Sequence, residues 1–93
     1  MAEPDAQLAP RVLIAVGDPL LRRVASTGLR DRGFSVSATN EESAALVLAR
    51  SFAPDVLLVD LQLTAPGGAS LFDMLRQMSD GYMVGLAPSD AEA

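Results

Sequence analysis

Pro54-Asp55-Val56-Leu57-Leu58-Val59-Asp60-Leu61 is the stretch whose reading decides the fold. Four consecutive apolar residues between two acids are too few for a core helix, and Val56 and Val59 are β-branched. Such a run suits a strand buried on both faces, as in the middle of a parallel sheet. Asp60 closes it, and a carboxylate is costly to bury among apolar neighbours, so it is expected to reach a crevice or solvent. Either it caps a turn there or it carries chemistry, and the run alone leaves both readings open.

Upstream, Val12-Leu13-Ile14-Ala15-Val16 repeats the central-strand pattern. Gly17-Asp18-Pro19 follows, with Asp18 suited to cap a helix and Pro19 to open it. That helix is predicted to turn Leu21, Val24, Ala25 and Leu29 inward, to leave Arg22, Arg23, Arg30 and Arg32 mostly outside, and to stop at Gly33. Phe34-Ser35-Val36-Ser37-Ala38 alternates as an edge or half-exposed strand does. Thr39 and Glu42 have capping-box spacing, which places the start of a second helix there. It is expected to bury Ala45, Leu46, Leu48 and Ala49 and to stop before Pro54.

Downstream, Thr64-Ala65-Pro66-Gly67-Gly68 reads as a loop, and residues 70–78 as a third helix with Leu71, Met74, Leu75 and Met78 facing inward. Tyr82-Met83-Val84-Gly85-Leu86-Ala87 is the fourth predicted strand. Regular strand–helix alternation predicts an α/β fold, a doubly wound parallel sheet of flavodoxin-like order with four strands and three helices. Residues 1–10 read as a loose leader and 11–93 as one domain.

Composition removes whole classes of function. The 93 residues contain no Cys and no His, which excludes thiolate or imidazole metal sites and Ser-His or Cys-His catalysis. A net charge of −5 works against nucleic-acid binding by this domain alone. No apolar stretch approaches the roughly 18–20 residues that span a bilayer. The acidic start Met1-Ala2-Glu3-Pro4-Asp5 lacks the apolar segment of a secretory signal, so no membrane role and a cytoplasmic location are expected.

Open parallel sheets place their active groups at the carboxyl ends of the strands, where Asp18 and Asp60 fall. Asp18 before Pro19 is accounted for by helix capping. The loop at 64–68 precedes a helix and has the glycines of an anion cradle, but no phosphate-loop Lys, and a plain loop explains it as well. A flavin or nucleotide binder would need aromatic stacking near the strand ends, and Phe34, Phe52, Phe72 and Tyr82 are not placed for it.

With these pieces in order, the chain resembles the receiver domains of two-component response regulators. The matching stretches are Arg11-Val12-Leu13-Ile14-Ala15-Val16, Pro19-Leu20-Leu21-Arg22-Arg23, Arg32-Gly33-Phe34, residues 54–61 and Gly68. The resemblance implies that Asp60 matches the aspartate that accepts a phosphoryl group from a histidine kinase. It further implies a signalling module of a bacterial regulatory protein rather than an enzyme, with contacts through the first helix at Arg22 and Arg23.

Several parts of the family pattern are absent. Aligned without a gap, Val16 and Gly17 stand where receivers carry two metal-binding acids, and Asp18 comes one position late. Ala87 replaces the Thr or Ser that ends the fourth strand, with Ser89 out of place, and Thr64 replaces a Pro. The chain has no Lys, and it lacks the last helix, strand and helix of the family. One carboxylate binds Mg²⁺ poorly, because a hard cation wants several oxygen ligands. The expectation is a degenerate receiver acting through protein contacts without phosphorylation or cofactor. The alternative is a working phosphoacceptor that uses Mg²⁺, with Asp18 brought into play by a one-residue slip. In either case the fourth strand is expected at an open sheet edge, with Met83, Val84 and Leu86 uncovered on one face, to be covered by the remainder of a longer protein, a partner or a second copy.

Overall fold

The computed structural model of the chain describes residues 9–64 and 70–87. Most of the expected leader, the loop residues 65–69 and the tail from Pro88 lie outside the described residues. The elements are β1 (Arg11–Ala15), α1 (Pro19–Asp31), β2 (Ser35–Thr39), α2 (Glu42–Ser51), β3 (Val56–Asp60), α3 (Leu71–Met78) and β4 (Tyr82–Leu86). The strands form one parallel sheet in the order β2-β1-β3-β4, the expected doubly wound, flavodoxin-like arrangement. Its order reverses between β1 and β3, which opens a crevice at their carboxyl ends.

Alternation along the central strands divides the core into two layers. Leu13, Ala15, Leu57 and Val59 face α2 and α3, where Ala45, Ala49, Leu71 and Leu75 close against them. Val12, Ile14 and Val16 face the other way, against Ala25 and Leu29 of α1. Each fully buried Leu or Ile stabilises the fold by roughly 1.5–3 kcal/mol relative to exposure. β1 is covered on both faces and reads as a continuous apolar run, whereas β3 buries Leu57 and Val59 fully and Val56 and Leu58 only in part.

The ends of α1 follow from three residues. The Asp18 carboxylate accepts the N–H groups of Leu20 at 2.9 Å and Leu21 at 3.3 Å, and Pro19 opens the helix. At the other end Gly33 takes φ +95°, a conformation that disfavours side chains. There the Gly33 N–H donates to the Arg30 carbonyl and the Phe34 N–H to that of Leu29, both at 3.0 Å. At the start of α3, the Ser70 hydroxyl accepts the Asp73 N–H at 3.3 Å.

Three expectations need correction. Leu21 and Val24 do not face the core: they are 45% and 60% exposed, and Leu20 is 68% exposed. The helix instead turns its Arg22–Ala25–Ser26–Leu29 stripe inward, and Ser26 is buried with its hydroxyl donating to the Arg22 carbonyl at 2.7 Å. Small residues at the contact let α1 lie close to β1 and β2. Thr39 does not cap α2, because the ladder holds it as the last residue of β2, with its carbonyl accepting the Val16 N–H at 3.1 Å. Its hydroxyl takes the Glu41 N–H in a local turn at 3.0 Å, and α2 starts at Glu42 with no side-chain cap. Met83 is not on the uncovered face; alternation sends it to the α2–α3 layer, while Val84 and Leu86 point the other way.

Candidate functional site

Asp60 is the last residue of β3, and the register Ala15↔Val59 carries it just past the end of β1. It is half-buried. One carboxylate oxygen, Oδ1, accepts the Gln62 N–H at 2.9 Å, and the Asp60 carbonyl accepts the Leu63 N–H at 3.1 Å. Turn capping is therefore real, yet it occupies only one face of the carboxylate. On the other side lies Gly17: a Cβ built there would sit 3.9 Å from Asp60 Oδ2 and 3.8 Å from a Leu63 methyl. The position from which a second acid would face Asp60 thus carries no side chain at all.

The neighbouring positions do not make up the loss. Val16 is 1% exposed and packs in the α1-side layer, where an unpaired carboxylate would be expensive. Asp18 is exposed, and its Oδ1 is committed to two N–H groups at the start of α1. Arg22 holds this loop in place: its guanidinium donates to the carbonyls of Val16 at 2.8 Å and Gly17 at 3.3 Å. A one-residue slip that brought Asp18 to Asp60 would break both the cap and these bonds. Among the described residues no three His, Cys, Asp or Glu side chains gather as a metal ion requires. The side chains at these strand ends therefore do not fit Mg²⁺.

The remaining site positions are dispersed. Ala87 follows β4, is exposed and has no hydroxyl to offer. Gly68 and Ser89 lie outside the described residues. Thr64 forms an isolated antiparallel bridge with Ser70 at the base of the loop between β3 and α3. Leu61 lies over β4 so closely that a Cβ on Gly85 would come within 2.7 Å of its side chain. Arg22 proves half-buried and structural, whereas Arg23 is free to meet a partner. The anchoring role of Arg22 had no signal in the sequence, because it depends on two backbone carbonyls at the end of a strand.

No protein-family model matches the chain. Its sequence is 30% identical over 73 residues to the probable transcriptional regulatory protein TcrX of Mycobacterium tuberculosis, covering 78% of this chain and 31% of that protein. It is 33% identical over 66 residues to the DNA-binding response regulator MtrA of Mycolicibacterium smegmatis, covering 71% of this chain and 29% of MtrA. The chain thus spans about a third or less of the length of these relatives. In three dimensions it superposes on a CheY-like response regulator receiver domain from Methylobacillus flagellatus with a TM-score of 0.69. That match covers 85% of this chain and 70% of the other at 16% identity, a likeness of fold. Sequence kinship and sheet order converge, and the chain belongs to the receiver domains of response regulators.

Proposed function

We propose that this receiver domain, comprising residues 11–93, acts in the cytoplasm through protein–protein contacts and is not switched by phosphorylation of Asp60. One observation carries the reading: Gly17, not a carboxylate, faces Asp60 Oδ2 across the crevice. Phosphoryl transfer to an aspartate builds negative charge on the transferring group, and its stabilisation is mainly electrostatic. A single carboxylate cannot assemble the cation that would supply it. Ala87 adds to this, since it has no hydroxyl to follow a phosphoryl group. The degenerate pocket leaves Asp60 as a turn-capping residue at the tip of β3.

Exposed apolar surface supports the contact role. Leu20, Leu21 and Val24 stand out from α1, and Tyr82 is 72% exposed on β4. Since α1 lies over β1 and β2, the half of its layer formed by β3 and β4 leaves Val56, Leu58, Val84 and Leu86 only half-buried. Among the described residues β4 is the edge strand of the sheet, and a second copy of the chain is one partner that such an edge can pair with. A histidine kinase becomes a partner in phosphotransfer only under the alternative, in which Asp60 works as a phosphoacceptor.

Incubation with acetyl phosphate and Mg²⁺, read by intact mass, separates the two. The expected spectrum is that of the unmodified chain. Near-complete addition of one phosphoryl group, lost in Asp60→Asn, overturns the proposal.

A further inference from the structure

A cluster of basic side chains gathers between α1 and β2. A groove of about 420 Å³ runs between α1 and β2, lined by Arg22, Arg23, Arg30, Ser26, Thr27 and Ala38 among others. Among the described residues no acidic side chain lines it. The ion pair found among the described residues, Arg76 with Asp73 at 3.7 Å, lies on α3. In a chain of net charge −5 this basic groove is a local reversal of sign. β2 borders it and, among the described residues, is the edge strand of the sheet opposite β4.

Spacing decides what fits. Arg22 and Arg30 are eight helical positions apart, about 12 Å along α1 at 1.5 Å per residue. One small anion cannot meet both ends. In an extended segment, alternate side chains recur about every 6.6 Å, so three of them span about 13 Å. The edge supplies the main-chain partner. Ser35 and Thr39 bond inward to β1, so Val36 and Ala38 present their N–H and C=O groups outward. The Val36 carbonyl is already taken by the Arg30 guanidinium at 3.2 Å, a cover that an incoming strand can displace. A nucleic acid, with a charge every ~1.7 Å, would also meet the acidic remainder of the surface.

From this juxtaposition we infer that the α1–β2 groove docks an extended acidic segment of a protein partner. The segment lies along β2, its backbone pairs with that edge, and its alternate carboxylates meet the exposed Arg23 and Arg30, while Arg22 stays on the Val16 and Gly17 carbonyls. This surface is separate from Asp60 and does not depend on whether that residue accepts a phosphoryl group.

The test is a ¹⁵N NMR titration of the chain with the blocked hexapeptide Glu-Val-Glu-Val-Glu-Val. Saturable shifts are expected at the amides of α1 and of Val36 and Ala38, unchanged in Asp60→Asn. The double variant Arg23→Glu, Arg30→Glu, verified as folded by circular dichroism, is expected to weaken binding at least about tenfold, or about 1.4 kcal/mol. Arg30→Gln, a milder change, should weaken it about threefold, and added salt should weaken it as well. Equal binding of the Gln-Val-Gln-Val-Gln-Val peptide overturns the inference, as do shifts confined to other surfaces. It is also overturned if inorganic phosphate alone reproduces the shifts and displaces the peptide, for the groove is then a simple anion site.

Discussion

Replacing Gly17 by aspartate puts back one of the two acids that this pocket lacks, the one that would face Asp60. The backbone tolerates it, because Gly17 is not in the left-handed region and an added Cβ meets nothing closer than 3.8 Å. From a Cβ 3.9 Å from Asp60 Oδ2, the new carboxylate falls roughly 4–6 Å from the old one. At 5 Å two like charges repel by about 0.8 kcal/mol in water and about 3 kcal/mol at an effective dielectric of 20. Asp60 is half-exposed, so a value near 1 kcal/mol is the appropriate expectation. In a domain of this size that lowers Tm by about 4–8 °C. A divalent cation bound between the two carboxylates offsets the repulsion and adds about 2.7 kcal/mol at a hundred times its Kd. The assay is thermal unfolding of wild type and Gly17→Asp, each with and without Mg²⁺. The variant should melt lower without the cation and regain or exceed the wild-type Tm with it, while the wild type stays put. A wild type that gains as much from Mg²⁺ as the variant refutes the reasoning, as does a variant indifferent to the cation.

Asp18→Ala removes the cap of α1 and should cost about 1 kcal/mol in urea unfolding without altering any response to Mg²⁺. Gly81→Ala would bring its Cβ to 2.6 Å from a Leu57 methyl and 2.7 Å from the Pro54 carbonyl, so a loss of about 1–3 kcal/mol is expected by the same measurement. Sedimentation should show self-association of the wild type that Val84→Glu abolishes, through its place on the half-covered β4 face. A wild type that remains monomeric at all concentrations removes the second copy from the account.

The βα order was legible because two features are written locally. Residues 12–16 and 56–59 are apolar without interruption, as central parallel strands must be, and Asp18-Pro19 and Gly33 mark both ends of α1. The inward face of α1 was not legible. Both its stripes mix apolar and basic residues, and the buried one is chosen by close approach at Ala25 and Ser26 and by carbonyls that receive Arg22. Thr39 shows the same limit: a local capping pattern lost to a strand ladder whose partner lies over twenty residues away. At the site, the alignment of Gly17 with a family acid was readable from spacing, but its position opposite Asp60 Oδ2 required the folded crevice. The α1–β2 groove was invisible for a similar reason, since Ala38 joins the arginines only through the packing of α1 on β2.

Whether one carboxylate at the β3 tip can hold a hard cation is measured directly by Mg²⁺ titration of the ¹⁵N-labelled wild type. The amides of Gly17, Asp18, Asp60, Leu61 and Gln62 should show no saturable change up to millimolar Mg²⁺. Saturable shifts at these amides that vanish in Asp60→Asn would contradict it.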